Sequence, residues 1–418
     1  MFDYDKWQEI YHTVKKYKLR TTLTAFGVFW GIFMLVILLG AGKGLENGAM
    51  QGFDIAKNAV FVWTQRTSIP YKGLQPGRAI HLTNDDFTAI KNNINEIDVI
   101  SPRSSMGGDL TISYKDKSAS FWVVGDYPQF LQVKPLLIRS GRFLNALDIR
   151  QKRKIAVIGK RVVELLFDES VDPIGEYIQI NGVHFKVAGI FDTRQTGEGA
   201  IRDIQTVYIP NTTMQHAFNH GNRIGWFALL PKTGVPAAVI EEKAKTLLAQ
   251  RHKVHPDDRQ AFGSANIEEE FRNVQGIFTG IRGFSWLVAI GTIIAGMVGV
   301  SNIMMIIVKE RTKEIGIRKS VGATPFSIIS MIVQESLVIT GIAGYLGLLL
   351  GVVLIESIRY AMAQFGVESE FFANPEINFQ VALSAVIVLV IAGTLAGLIP
   401  GAKAARLDPV VALRDEGG

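Results

Sequence analysis

Seven histidines and no cysteine leave this chain few routes to covalent or metal chemistry. His216 and His220 stand four apart, a spacing that lets two imidazoles on one helix face share a zinc ion. A hydrolytic zinc helix also needs a glutamate directly after the first histidine, and Ala217 stands there, with Asn219, Gly221 and Asn222 marking a turn beyond. His252 and His255 run into Pro256-Asp257-Asp258, which reads as a helix start. No serine sits in a G-x-S-x-G elbow, and without cysteine there is no thiol nucleophile. Gly40-Ala41-Gly42-Lys43-Gly44 looks like a phosphate loop but lacks the G-x-x-x-x-G-K-[ST] spacing. The expectation is a chain that is not an enzyme: no catalytic residue, no bound metal, no cofactor and no ATP hydrolysis of its own.

The polar chemistry that remains is concentrated in residues 309–325, KERTKEIGIRKSVGATP. Glu314 and Arg318 form an i, i+4 pair in the favourable order, and Thr324-Pro325 is an N-cap followed by proline at the first helical position. This predicts a short charged helix, which by composition could also be a plain solvated connector.

The elements around it are set by how charge is distributed. The chain has 418 residues, 48% hydrophobic and 20% charged. Residues 21–42, 283–308, 336–355 and 377–402, 94 in all, contain no Asp, Glu, Lys or Arg, so the other 324 are 25% charged. Each stretch is long enough to cross about 30 Å of hydrocarbon at about 1.5 Å per residue. A single-domain soluble protein is excluded.

Basic residues orient the spans. Lys6, Lys15, Lys16, Lys18 and Arg20 precede the first, five Lys and Arg between 309 and 319 follow the second, and Lys403, Arg406 and Arg414 follow the fourth. The 356–376 loop carries Arg359 against Glu356, Glu368, Glu370 and Glu376. Both termini and 309–325 are therefore expected in the cytoplasm of an inner-membrane, multi-pass protein, with 43–282 outside. The net charge of +6 is then an orientation signal and not a sign of nucleic acid. The first stretch lacks a small-x-small cleavage site at Leu38-Leu39-Gly40, which favours a retained anchor over a signal peptide. Before it, Trp7, Ile10, Tyr11, Val14 and Tyr17 recur at helical spacing opposite lysines, as an amphipathic helix on the lipid bilayer over 1–20 would, a disordered basic leader being the alternative.

The expected layout is 21–43 as the first span, 44–282 as an extracytoplasmic α+β domain, 283–308 as the second span and 309–325 as a cytoplasmic element. The third span is 326–355, the outer loop 356–376, the fourth span 377–402 and the tail 403–418. In the outer domain Ala59–Trp63, Thr83–Ile94 and Ser120–Val124 read as strand, helix, strand, and Trp226–Leu230 with Val235–Gln250 as strand and helix. Lys154–Ile158, Tyr177–Ile180, Phe185–Ile190 and Thr206–Ile209 are short β-rich runs between turns such as Asn181-Gly182. This gives an α/β part over 44–125 and 223–282 split by a β-rich insert over 126–222, with Gly44–Lys57 and Asn266–Arg282 continuing the first two spans as helices.

The 309–323 run, the Gln334-Glu335-Ser336 stretch with Gly341, Gly344, Gly347 and Gly351 behind it, and the ending PGAKAARLDPVVALR at 400–414 together resemble the MacB/FtsX-like permease subunits of ABC transporters. Gly141-Arg142-Phe143 and Asp172-Pro173-Ile174-Gly175 look like the outer domain of that family. The resemblance covers essentially the whole chain. It implies a partner ABC ATPase that binds ATP and Mg, a second permease copy (homodimer or related heterodimer), and in export systems a periplasmic adaptor and an outer-membrane duct. With only 20 residues before the first span, no fused ATPase is expected, unlike the macrolide exporter.

By the same resemblance Glu310, Arg311, Glu314, Gly316, Arg318, Lys319, Gly322 and Ala323 form the ATPase-coupling element, and Arg406, Asp408, Pro409 and Arg414 belong to the closing motif. The four glycines, on roughly one helix face, would let a neighbouring helix approach closely. The spans carry no mid-membrane charge; Glu335 lies by the cytoplasmic boundary, so a polar channel has no evident lining. The leading reading is export or extraction of a drug, peptide or lipoprotein driven by mechanotransmission. The second is a non-transporting regulator of an outer hydrolase, and the third a membrane-anchored enzyme. The size of the outer domain favours the first.

Overall fold

A computed structural model describes residues 18–51, 55–193, 198–365, 369 and 371–408. The amphipathic helix expected over 1–20 falls almost wholly outside them, as do Pro409 and Arg414. Contacts divide the chain into two units, one of residues 1–48 with 276–418 and the other of 49–275.

The first unit is helical. Helix α1 (Lys18–Gln51) opens the described chain. Among the described residues four helices, one of them within α1, are long and apolar enough to cross a membrane. Two of them, at 44 and 41 residues, are about twice as long as hydrocarbon requires. Their shared core runs from Val28, Ile32, Leu35 and Val36 through Ile293, Val300 and Met304 to Ile328, Ile332, Ala343, Leu389 and Ala396. Packing is close because small residues sit at the crossings. A Cβ on Gly27 would lie 3.0 Å from the Gly296 Cα, and one on Gly347 would lie 2.5 Å from the Phe29 carbonyl oxygen.

The second unit follows in chain order. It begins with β1 (Val60–Thr64), β2 (Leu82–Thr83), α2 (Asn84–Asn93), β3 (Ile97–Ser105), β4 (Leu110–Tyr114) and β5 (Lys117–Asp126). Next come α3 (Phe130–Val133), β6 (Leu137–Gly141), α4 (Ala146–Arg150), β7 (Ile155–Gly159), α5 (Lys160–Leu166), β8 (Tyr177–Ile180) and β9 (Val183–Asp192). It closes with α6 (Glu198–Ile204), β10 (Thr206–Pro210), α7 (Asn211–Ala217), β11 (Arg223–Ile224), β12 (Trp226–Pro231), α8 (Ala237–Arg251) and β13 (Phe262–Asn266). The remaining helices are α9 (Ile267–Glu310), α10 (Thr312–Ser320), α11 (Pro325–Phe365) and α12 (Phe379–Ala405). The helical continuations expected at 44–57 and 266–282 are parts of α1, described as far as Gln51, and of α9; residues 52–54 of the first lie outside the described residues.

Strands β3, β12, β1 and β13 form an antiparallel sheet. Helices α2 and α8 cover it through Ile90, Ile94, Ile240, Ala244 and Leu248. The strand that follows α2 is β3; the expected Ser120–Val124 strand lies within β5, which meets the end of β3 at Ser104 and Ser105 and does not pair with β1. Strands β5, β4, β8, β9, β7 and β10 pair in that order, and the parallel β10–β5 pairing closes them into a ring. Closure leaves few open edges, and Ile112, Phe121, Ile158, Ile178, Phe185 and Val207 fill the interior. The β-rich part thus begins at β4, ahead of residue 126, because the ring needs β4 and β5 as walls.

Two buried carboxylates fasten this unit. Asp86 accepts from the Thr83 amide at 2.9 Å and from Arg251 Nε at 2.7 Å, with His252 Nε2 at 3.0 Å, tying the start of α2 to the end of α8. Burial opposes its charge, but the His252 and Arg251 hydrogen bonds outweigh it and hold the carboxyl well below the usual range. Asp126 accepts from Arg103 Nε at 2.8 Å where β3 passes from the sheet to the ring. The Arg103 guanidinium lies 3.9 Å from the Phe130 ring centroid and 4.8 Å from that of Trp226.

Candidate functional site

Residues 309–325 carry the polar pattern singled out in the sequence, and they fold as α10 between α9 and α11. The helix ends on Gly322, at φ +102°. The Ala323 amide donates to the Arg318 carbonyl at 3.0 Å and the Gly322 amide to Lys319 at 3.1 Å, the paired bonds that close a helix through a left-handed residue. Nothing lies within 4 Å of where a Cβ on Gly322 would stand, so Gly322→Ala probes backbone conformation alone. The expected loss is about 1 kcal/mol, read as a lower thermal midpoint of the detergent-solubilised chain; an unchanged midpoint would show that the turn needs no glycine. At the far side Thr324 caps α11, accepting from the Ser327 amide at 3.3 Å.

The charges of α10 turn largely toward the chain's own helices. Arg311 reaches Glu314 at 3.9 Å and the buried Glu335 of α11 at 3.4 Å. Arg318 donates to Glu314 at 2.6 Å and contacts the Met331 sulfur at 3.1 Å. Lys319 donates to the Ala405 carbonyl at 2.9 Å and to that of Leu407, at the end of α12. Gly316 is buried beside Ile315, Ala323 packs against the core of the helical unit, and Glu310 and Gly322 are exposed. The half-exposed Arg318–Glu314 pair is worth a few tenths of a kcal/mol, roughly; its weight is in orienting the helix.

What faces outward is apolar, and sequence reasoning missed it. Ile317 is 51% exposed, Val321 84% and Phe326 79%, with Lys313 and Ser320 also exposed beside them. Ile317, Val321 and Phe326 thus leave a contiguous stretch of the charged loop with exposed apolar side chains. The signal was legible as Ile317 and Val321, one turn apart.

The other expected positions are dispersed. Gly344 packs on Leu389 of α12, Gly347 and Gly351 meet Phe29 and Val36 of α1, and Gly341 has nothing within 4 Å of a Cβ; three of the four glycines therefore serve two different neighbours and the fourth serves none. Arg406, the C-cap of α12, and Asp408 are both exposed. His216 is exposed on α7, while burial and Arg223 pull the His220 imidazole below its usual range, and His252 is engaged by Asp86. Among the described residues no three His, Asp or Glu stand together as metal ligands.

Residues 21–247 match the MacB-like periplasmic core domain and 286–409 the FtsX-like permease C-terminal domain. The macrolide export ATP-binding/permease protein MacB of Bdellovibrio bacteriovorus is 28% identical over 411 residues, 97% of this chain and 61% of that protein. The pyoverdine export ATP-binding/permease protein PvdT of Pseudomonas entomophila is 27% identical over 96% of this chain and 58% of its own length. The chain thus spans about 60% of the length of such relatives. The crystal structure of the periplasmic region of MacB from Actinobacillus actinomycetemcomitans aligns at 18% identity over 53% of this chain and 94% of that one, with a TM-score of 0.43.

Proposed function

The chain belongs to the MacB-like, FtsX-like family of ABC transporter permeases, and from that premise we propose that it couples ATP hydrolysis on a separate cytoplasmic ATPase to movement of its periplasmic domain, driving export or extraction of a periplasmic substrate. The observation that carries this reading is the exposed apolar trio of Ile317 on α10, Val321 at its C-cap and Phe326 in the first turn of α11, in a loop whose charges are largely turned back onto the spans. Such a face supplies docking energy, and the inward charges make its displacement felt by α11 and α12. Substrates of the drug, peptide or lipoprotein class suit the reading. The named relatives export a macrolide and a pyoverdine, so family membership leaves the cargo open between chemically unlike molecules. ATP and Mg belong to the partner, and a second permease copy completes the complex.

Purification in mild detergent followed by identification of the retained proteins tests this. An ATPase with an adaptor and an outer-membrane duct is the expected result. An ATPase with a peptidoglycan hydrolase would move the reading to regulation, and no ATPase at all would overturn it.

Orientation is checked on single cysteines introduced into a chain that has none. Glu169→Cys, exposed after α5, and Lys313→Cys, exposed on α10, should react oppositely with a membrane-impermeant maleimide on intact spheroplasts. Position 169 labels at once and 313 labels only after permeabilisation. The reverse pattern would invert the topology.

A further inference from the structure

The fourth and third spans form a hairpin gripped at both ends. At the inner end Lys319 of α10 donates to the Ala405 and Leu407 carbonyls. Ala405 is the last residue of α12, where helix geometry leaves carbonyls without intrahelical donors, and Leu407 lies just past its C-cap Arg406. Arg311 adds the contact to Glu335 of α11. At the outer end the segment before α12 seats on α1. The Ala373 amide donates to the Gly44 carbonyl at 3.0 Å, and Asn47 Nδ2 donates to the Asn374 carbonyl at 2.9 Å. The fit is steric as well: a Cβ on Gly44 would lie 2.6 Å from the Phe372 ring, and one on Gly48 would overlap the Phe371 backbone.

Between the two grips α11 and α12 are packed tightly around Gly393 and Gly397, with a cavity farther along between Gly341, Tyr345, Val386 and Val390. A Cβ on Gly393 would strike the Thr340 hydroxyl, and one on Gly397 would come 2.8 Å from the Val333 Cα. Ser336 Oγ donates to the Gly393 carbonyl at 2.8 Å. A 41-residue helix reaches about 60 Å, so one element runs from the grip on α10 toward the grip on α1. Close-packed interiors transmit displacement with little give.

We propose that this hairpin is a push-rod: it carries displacement of α10 to the outer end of α1, in parallel with the covalent path through α9, with Lys319 as the inner positioning residue and the Phe372–Asn374 segment as the outer one. The inference rests on the reading of α10 as the ATPase contact, and it goes further by saying which spans move. If α9 alone carried the motion, neither grip would matter to coupling.

The test uses the full chain with its ATPase in nanodiscs. Lys319→Met removes the inner grip, and Asn47→Ala with Phe372→Ala loosens the outer one without inserting bulk. Ile317→Asp with Val321→Asp is the docking control. Expected for both grip variants is an ATPase retained as by wild type, with permease-dependent stimulation of hydrolysis reduced at least about fivefold. Lys319→Arg restores it. Spin labels at Ser320→Cys and Lys403→Cys, both exposed, should keep one narrow distance through the nucleotide cycle in the wild-type background. That distance should broaden with Lys319→Met, a change that a merely lowered stability would not produce in folded complexes. Wild-type stimulation in both grip variants overturns the push-rod and leaves the docking reading standing. Retention of the ATPase by the docking control overturns that reading instead.

Discussion

A chain carrying Ile317→Asp and Val321→Asp loses its ATPase partner while keeping its own fold. Both positions are more than half exposed and the pair lies one helical turn apart on α10, so neither change opens a cavity in the permease. Covering an Ile or Val side chain contributes about 1.5 to 3 kcal/mol, and leaving a carboxylate unpaired in a covered apolar patch costs several more. Together these should weaken association by about 3 kcal/mol at least, or more than about a hundredfold. The measurement is retention of the ATPase on immobilised permease, with circular dichroism of the variant as the folding control. Equal retention would show that the apolar face is not the contact. Glu314→Ala with Arg318→Ala is the contrasting variant: it removes an orienting pair and leaves the face in place, so coupling should fall much further than retention.

The contrast bears on what sequence could reveal. The spans were legible because a charge-free run of twenty residues is a local property that no tertiary partner can disguise. The cap at Thr324 and the strand Tyr177–Ile180 were legible for the same reason. In residues 309–325 the charges were visible but their direction was not. Lys319 looks like a docking residue until α12 is seen to end beside it, and Arg311 until Glu335 is. Strand β3 was missed because Asp98, Ser101, Pro102, Arg103 and Ser104 read as a polar loop. Asp98 is exposed, and the burial of Pro102, Arg103 and Ser104 is made tolerable by Asp126 and Asn211, which lie on other elements of the fold. Closure of the ring was equally hidden, since β5 and β10 are separated by some eighty residues and pair in parallel.

That polar strand yields the second large effect. Arg103→Met should cost about 3 to 5 kcal/mol, the scale for leaving one partner of a buried pair uncompensated, because Asp126 is fully buried and the guanidinium also fills the space against Phe130, Tyr208 and Trp226. Asp126→Asn should not do the same. Burial pushes the Asp126 carboxyl up to about 6, and the Arg103 contact offsets this only in part. A carboxyl with a raised folded-state pKa holds a proton that the unfolded chain has released. Its contribution to stability is therefore full below the ordinary aspartate value of 3.8, falls as pH rises toward about 6 and is level above, a loss of roughly 3 kcal/mol. Asp86, held below its usual range, acts with the opposite sign and only in stronger acid. Asparagine at 126 stays neutral, and the aromatic rings around Arg103 still stabilise its charge. Asp126→Asn should thus flatten the slope between pH 4 and 6 and be at least as stable as wild type at pH 8, whereas Arg103→Met should recover part of its loss in acid, where Asp126 is protonated. Thermal unfolding of the solubilised chain followed by tryptophan emission, with Trp226 inside the cluster, reads both. Equal damage from the two variants at pH 8 would mean that the ion pair stabilises the charged form and that burial does not govern this carboxyl.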